Sequence, residues 1–493
     1  MKTLNKIFGL AVISSLLFSC GDEFLETEPT EFVSARQIAD YSEENPGLQG
    51  ANVAGMYALM YETGTGGTTG HDDYGHKAYD MYADIISGDM VLGGLNYGWY
   101  STISRYQVTT DYTFTDNYQV WRHYYRMVFA ANSIIDQFGG NDIMPETAEG
   151  KSFYAQAKAM RGISYFYLAN YFSEGYNPSE PILPLYLTVP DAGGVLETSE
   201  TIYNAVLDDL GQAVGMLAET PARDGKEQIN IDVAETYLAY AYAAIGNNQM
   251  AADHTQNVID RANHPIMNAS EITTSGFNDA NTPGWIWGVD ITLDQGLDLI
   301  SWWGQLDVFT YSYAWVGDVK SINDDLWNEL NNRGDIRAQQ FADVFGTGQK
   351  SPINKFFAPA RTIGGQRNIT TDYVYLRMAE VYLLNAETNA KLGNEGIAKT
   401  NLLAAVGDRW PTASADINAL SGQALLDEIS FQTRAELWGE GKSYLELKRN
   451  ERTIVLPPNH LTNAGDDYQY NSDELTFEIP LLEVQNNPNI TVQ

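Results

Sequence analysis

Ala379-Glu-Val-Tyr-Leu-Leu-Asn-Ala-Glu-Thr-Asn-Ala-Lys-Leu-Gly393, followed by Asn394, repeats a pattern met earlier in the chain. Residues 234–246 read Ala-Glu-Thr-Tyr-Leu-Ala-Tyr-Ala-Tyr-Ala-Ala-Ile-Gly and run into Asn247. Both stretches share Ala-Glu-x-Tyr-Leu-x-x-Ala and close on Gly-Asn. Apolar and small residues recur with helical period, and glycine supplies the left-handed residue that ends a helix. Asp232, with Glu235 three residues on, forms a capping-box-like start for the first. A second helical stretch follows each, from about Met250 to Arg261 and from Glu395 to Val406. Helix, Gly-Asn turn, helix is the tetratricopeptide style of hairpin, and such units stack because one pair cannot bury its apolar face alone.

Working outward, residues 117–138 read as a helix of the same kind. Residues 151–172 and 201–218 form a further pair, split by a loop holding Pro178, Pro181, Pro184 and Pro190. The expected fold is therefore mainly α, with about four stacked hairpins, over residues 117–261 and 373–450, and little β structure. Long irregular insertions, at 40–110, 265–370 and 407–427, are rich in Gly, Asn, Thr and Asp and carry much of the tryptophan. Loops on a rigid helical frame are where binding surfaces are usually built. Within them Phe309, Tyr311, Tyr313 and Trp315 alternate with period two, which predicts a short strand with one aromatic face.

The first 20 residues set the location. Lys2 and Lys6 precede an apolar run from Ile7 to Phe18, which is the pattern of a secretory signal peptide over 1–19 and too short for a spanning helix. Leu17-Phe18-Ser19-Cys20 resembles a bacterial lipobox, in which the cysteine is acylated. Cys20 is the only cysteine in the chain, so no internal disulfide is available to it. Two or three acyl chains anchor a protein essentially permanently. Residues 20–40 form a tether that opens Gly21-Asp22-Glu23 and resembles the acidic export signal of surface lipoproteins. The expected location is the outer face of an outer membrane, with one domain from 41 to 493.

A net charge of −35, from 64 acidic and 29 basic residues, argues against nucleic acid and anionic lipid head groups. The plain reading of that acidity is a solvated surface. No His-Glu-x-x-His, Gly-x-Ser-x-Gly or cysteine nucleophile occurs, and the run Gly64 to Gly70 reads as a flexible loop rather than a cofactor fingerprint. His71, Asp72, Asp73 and His76 likewise read as a solvated loop rather than a metal site. No cofactor and no catalytic residue is implied.

Several segments together resemble the SusD/RagB family of glycan-binding surface lipoproteins. Gln156 to Leu168, with Arg161 and Tyr165-Phe166-Tyr167, followed by Tyr171, is similar to one family helix. Tyr375-Leu-Arg377-Met-Ala-Glu380-Val-Tyr382, continuing to Glu387, is similar to another. The segment from Ile429 to Arg449, with Arg434, Glu436, Glu440-Gly441-Lys442 and Leu447-Lys448-Arg449, resembles a third motif. The ending Glu478-Ile479-Pro480, Glu483 and Asn487-Pro488-Asn489 resembles the family's last. Thr433, Lys442 and Glu446 depart from the pattern, at positions that read as architectural.

The resemblance implies a non-enzymatic protein that captures an oligosaccharide and passes it to a SusC-like TonB-dependent transporter. A surface glycoside hydrolase and a peptide- or protein-binding import lipoprotein are the alternatives. Sugar recognition needs flat aromatic faces flanked by amides and carboxylates. Two loop clusters offer them: Asn96, Trp99 and Tyr100, beside Tyr97; and Trp285, Trp287, Trp302, Tyr311, Tyr313 and Trp315, beside Trp303. Tyr154, Tyr165, Tyr237, Tyr240, Tyr375 and Tyr382, at helical spacing, are expected in the core. Glu380, Glu387, Arg434 and Glu436 are expected to pair helix to helix.

Overall fold

The computed structural model describes residues 46–190 and 192–490; the signal peptide, Cys20 and the tether to residue 40 lie outside the described residues. The chain divides into Met1–Gly50, of which only a helix opening is described, and a unit from Ala51 to Gln493. The longer helices are α1 (Pro46–Ala58), α2 (His76–Ile86), α3 (Thr115–Gln137), α4 (Ala148–Tyr171), α5 (Ser199–Leu217) and α6 (Ile231–Ala244). They continue as α7 (Asn248–Arg261), α8 (Asp324–Arg333), α9 (Met378–Lys391), α10 (Glu395–Val406), α11 (Gln423–Glu436) and α12 (Lys442–Arg449). Strands are short and antiparallel. β1 (Met90–Leu92) and β2 (Trp285–Val289) pair with β3 (Lys320–Ile322) and β4 (Tyr373–Arg377), respectively.

The repeated stretches are α6 and α9, and each pairs with the helix after it. Gly246 and Gly393 both take the left-handed conformation at φ +79° that ends their helices. From α3 to α7 each helix packs on the next, and α7 then packs on α9 across the long insertion between them, so the array is continuous. Gly162 permits the closest approach, since a Cβ there would lie 2.9 Å from Leu210 on α5. The start of α6 differs from the sequence reading. Asn230, not Asp232, accepts the capping bond from Val233 N–H, and Asp232 lies one step inside the helix, where it holds Arg261 and His264.

The insertion at 40–110 is less irregular than its composition suggests. It contains α2, all of whose residues are buried, including Lys77, Asp80 and Asp84. A polar helix can be central because its polar groups are paired or neutralised inside: Lys77 Nζ lies 2.9 Å from Asp80, and Asp84, whose carboxyl burial pushes well above the usual range, accepts Gly441 N–H at 3.1 Å. The tyrosine content serves the same interior. Tyr124 stacks on Tyr167 at 5.3 Å, and the Tyr171 and Tyr444 rings stack at 5.4 Å. Their hydroxyls are all partnered: Tyr171 donates to Tyr79 O at 2.7 Å and Tyr444 to Leu475 O at 2.6 Å, while Tyr124 meets His76 Nδ1 and Tyr167 meets the Tyr237 hydroxyl. Tyr154, Tyr165, Tyr237, Tyr240 and Tyr375 are buried as expected; Tyr382 is half-buried.

The expected ion pairs join elements. Glu387 on α9 meets Arg449 on α12 at 2.7 Å, Arg434 meets Asp89 at 2.6 Å, and Glu380 faces Lys442 at 3.6 Å. Glu436 is surrounded by Arg337, Arg377 and Arg409. Burial opposes its ionisation, yet Arg409, Arg377 and Arg337 hold its carboxyl well below the usual range. The family-like residues Arg161, Arg377 and Arg449 thus act as architecture; Arg161 binds Asp209 at 2.7 Å. The acidity is also not all at the surface, since Asp73, Asp89, Asp232, Asp307, Asp318, Asp335 and Glu436 are among the buried carboxylates.

Candidate functional site

The ladder between β1 and β3 brings together loops that are more than 200 residues apart in the chain, as the contact of Asn96 with Asp318 illustrates. Leu92 pairs with Lys320, and Gly93 N–H donates to Val319 O at 2.8 Å. Because the strands are antiparallel, the loop leaving β1 and the loop entering β3 emerge at the same end. The first carries Asn96, Tyr97 and Trp99; the second carries Phe309, Tyr311, Tyr313 and Trp315. Part of each aromatic cluster offered by the sequence thus meets the other on one surface.

Asp318 fixes the first loop to the second. Its buried carboxylate accepts Asn96 N–H at 2.5 Å and Tyr97 N–H at 2.8 Å, and Asn96 Nδ2 donates to Val316 O at 2.9 Å. Gly94 allows this approach, since a Cβ there would meet the Gly317 carbonyl oxygen at 2.1 Å. Trp99 stacks on His71 with centroids 5.0 Å apart and planes 4° apart. Tyr313 stands edge-on to His71, Trp99 and Tyr97 and reaches His71 Nδ1 with its hydroxyl at 2.5 Å. Burial keeps the Tyr313 phenol above its usual range, so it stays protonated. Beneath, Gln305 Nε2 donates to His71 O at 2.6 Å, and buried Lys320 donates to Gln305 Oε1 at 3.1 Å. Burial lowers Lys320 to about 8.

A third wall comes from residues 361–367. Gly364 and Gly365 N–H groups donate to Val308 and Phe309 carbonyls, and Tyr311 N–H donates to Gln366 O at 2.8 Å. Gly364, at φ +62°, lies so close over Trp315 that a Cβ would sit 2.6 Å from its ring. The Tyr311 and Trp315 rings are 5.4 Å apart, and the Arg367 guanidinium lies 3.8 Å over Tyr311. Buried Asp307 braces this side by accepting Phe309 and Ala358 N–H groups and the Thr310 hydroxyl; burial raises it to about 6.

The surface therefore presents Tyr97, which is 62% exposed, with Asn96, and the half-buried rings of Trp99, Tyr311 and Trp315. Tyr313, 5% exposed, props the rings from below. The remaining candidates belong elsewhere. Trp285, Trp287, Trp302, Trp303 and Tyr100 are each 1% exposed or less and pack in the core, so they offer no face to a ligand. Trp285 and Trp287 are ladder residues on β2, Trp287 donates to Glu227 O, and Lys77 lies over the Trp302 ring. Tyr100 turns inward at φ +65° and bonds Tyr74 at 2.6 Å. The expected strand over 309–315 is instead a run of turns with one isolated bridge, Thr310 to Gln366.

The loop at 64–76 is corrected too. Asp73 accepts Gly66 and Thr68 N–H groups, Asp72, Asp73 and His76 are buried, and only His71 keeps some exposure. Among the described residues no cluster of three His, Cys, Asp or Glu side chains is placed to hold a metal ion. Sequence reasoning missed Arg361, Arg367, Asp318 and the role of His71, because their partners are remote in the chain. A cavity of about 430 Å³ lies apart from the platform, along α3, where Tyr118, Trp121 and Tyr125 face Glu483 and Asn487. Its Trp121 is packed edge-on to Phe172 and donates to Glu483 at 3.2 Å, so it serves packing first.

Comparison with known proteins places this arrangement. The SusD family matches residues 303–491, and a second family, described as starch-binding associating with outer membrane, matches residues 67–244. A SusD-like protein of Formosa agariphila is 26% identical over 295 residues, 59% of this chain and 53% of that protein, so the match spans about half of the relative's length. A SusD-like carbohydrate-binding protein of Bacteroides vulgatus has a similar structure, with a TM-score of 0.74 at 23% identity over 90% of this chain and 97% of that one. A SusD superfamily protein of Bacteroides thetaiotaomicron gives 0.74 at 22% identity, covering 90% and 98%. A laminarin-binding SusD-like protein gives 0.65 at 20% identity, covering 89% and 97%. With SusD-type matches over residues 67–244 and 303–491 of one helix-rich fold, the chain belongs to the SusD/RagB family.

Proposed function

We propose that this protein is an outer-membrane surface lipoprotein that binds oligo- or polysaccharide on the aromatic platform and delivers it to a SusC-like TonB-dependent transporter, without cleaving it. The observation that carries the reading is the meeting of Asn96, Tyr97 and Trp99 with Tyr311 and Trp315 on one partly exposed surface, braced from beneath by Asp318 and Asp307. Flat faces take the C–H surfaces of sugar rings, and the Asn96 amide lies beside them for hydroxyls. Each aromatic contact contributes roughly 1 kcal/mol beyond area, and each neutral hydrogen bond about 1 kcal/mol. Affinity for one short oligosaccharide is therefore on the order of micromolar to millimolar.

The two buried carboxylates at the platform support binding without hydrolysis. A glycosidase sets a pair of carboxyl groups about 5–10 Å apart on either side of the scissile bond, whereas Asp307 and Asp318 are committed to backbone N–H groups. The signal peptide at 1–19, acyl anchor at Cys20, tether to 40 and single domain from 41 belong to this reading. Among the described residues no helix is long and apolar enough to cross a membrane. Affinity gels containing single polysaccharides test the binding: retardation of the wild type by at least one, lost in Tyr97→Ala/Trp99→Ala, supports it. Retardation by none, or release of reducing ends at enzymatic rates, overturns it.

A further inference from the structure

The edge of the platform carries two guanidinium groups that the chain leaves without a carboxylate. With 64 acidic and 29 basic residues, a cation in this protein has acids to spare as partners. The arginines of the helical body take them, as Arg161 does with Asp209, Arg377 with Glu440 and Arg449 with Glu387. Arg361 and Arg367 are both exposed and neither forms an ion pair among the described residues. The Arg367 guanidinium lies over Tyr311, 3.8 Å from the ring centroid, and its five N–H donors form a fork suited to a planar anion. Arg361 lies over Phe309 and Phe357, at 5.0 and 4.4 Å, and spends one N–H on Asn354 Oδ1 at 2.9 Å. Its charge also reaches Asp307, but that carboxylate is buried and filled by Phe309, Thr310 and Ala358.

These side chains are not on a loose loop. Residues 364–366 are bonded to 308–311 through the backbone, and Gly364 rests against Trp315. Arg367 is thus held on a platform ring, Tyr311, and Arg361 on Phe309, two residues earlier in the same loop. A guanidinium fork matches a carboxylate or a sulfate in a bidentate fashion, and such contacts are about twice as strong as neutral hydrogen bonds.

We propose that the platform selects anionic polysaccharide, with sugar rings on Tyr97, Trp99, Tyr311 and Trp315 and the carboxylate or sulfate ester groups of the chain on Arg361 and Arg367. This rests on the glycan-binding reading and narrows it to a substrate class. The net charge of −35 does not forbid it. At physiological ionic strength charges beyond roughly 8 Å are largely screened, while the arginine contacts act at hydrogen-bond range.

The test uses the full chain in detergent, on affinity gels containing polygalacturonate or its fully methyl-esterified form, and carrageenan or its chemically desulfated product. The expected result is at least tenfold tighter retention by one charged polymer than by its neutral counterpart, and which pair responds tells carboxylate from sulfate. In Arg361→Gln/Arg367→Gln that preference disappears, while the melting temperature stays as in wild type. Neutral and charged forms retained alike, or a preference that survives the double substitution, overturns the inference and leaves the glycan-binding reading standing. Retention by no polymer of either kind overturns the inference, and the glycan-binding reading falls with it only if neutral polysaccharides also fail to retain the wild type.

Discussion

Asp318→Asn separates anchoring of the platform from stability of the fold. The native carboxylate accepts two backbone N–H groups, those of Asn96 and Tyr97. Hydrogen bonds to a charged group are worth about 1.5–3 kcal/mol each. The amide keeps one acceptor oxygen and turns a donor toward the other N–H, so about one neutral bond of roughly 1 kcal/mol remains. The net loss is about 2–5 kcal/mol, with the upper end favoured because buried Lys320 also loses a nearby negative charge. The loss falls on one loop, whose other ties are the Gly93 bond to Val319, the Asn96 side chain on Val316 and the Trp99 stack on His71. Amide exchange in residues 93–100 should therefore quicken by about 30- to 5,000-fold, while peptides from α6 and α9 keep their protection. Polysaccharide affinity falls by whatever fraction of molecules has the loop displaced. Hydrogen exchange with mass readout and a thermal melt decide the matter. Unchanged protection at 93–100 would refute the anchoring argument, as would a melting temperature that falls as far as in a core-tryptophan variant.

The same logic sorts the aromatic residues. Tyr97→Ala and Trp315→Ala should each weaken retention on a bound polysaccharide about three- to tenfold with little change in melting temperature. Trp287→Ala should cost about 3–5 kcal/mol of stability, read in a denaturant titration, and equal stability losses in all three variants would refute the division. Arg449→Ala strands Glu387, a fully buried carboxylate that Arg449 and Lys391 hold well below the usual range against the effect of burial. The expected cost is about 3–5 kcal/mol, and a loss below 1 kcal/mol in the same titration would contradict the pairing. Asp72 gives a pH signature: burial, and then Asp116, raise its carboxyl from 3.8 to about 7. Between those values the folded state holds a proton that the unfolded state has released, so stability falls as pH rises. Asp72→Asn should thus raise the melting temperature more at pH 8 than at pH 4, and equal shifts would count against it.

The helical frame was legible because its signals are local. The Gly-Asn endings after 246 and 393, the period of the alanines and tyrosines, and the family-like segments each need only neighbouring residues to be read. α2 was missed because His76, Lys77, Asp80 and Asp84 disguise a buried helix as a polar one, and only their partners on distant segments make the burial tolerable. The platform was half legible. Composition marks Trp99 and Trp287 alike as loop aromatics in a glycine- and asparagine-rich stretch. What distinguishes them is a strand pairing, β2 with β4 for one and β1 with β3 for the other, that no local pattern announces. The alternation at 309–315 misled for a related reason: a period of two arises in turns as well when every second ring is pinned to a different partner.

The buried aspartates explain how such irregular segments hold a shape at all. A loop without ladder partners leaves backbone N–H groups to satisfy, and a buried one left unpaired is costly. Here the answer recurs. Asp73 takes Gly66 and Thr68, Asp307 takes Phe309 and Ala358, Asp318 takes Asn96 and Tyr97, and Asp372 takes Ala280 and Ile291. Each carboxylate ties two N–H groups to one point, and in the last three the tied residues or the aspartate itself are remote in sequence. Part of the acidity that reads as a solvated surface is thus internal bracing, concentrated where regular structure is absent. It follows that pH should act on one platform loop through Asp307 and leave the helical array alone. Burial raises its carboxyl from 3.8 to about 6, so the closed loop holds a proton there that the opened loop releases, and closure is favoured as pH falls. Exchange at 307–311 and 358 should slow from pH 7 to pH 5 relative to the intrinsic rate, with α6 and α9 unaffected. If the loop keeps the same protection across that window, or the helices change with it, the loop is held by packing on the frame and not by this aspartate.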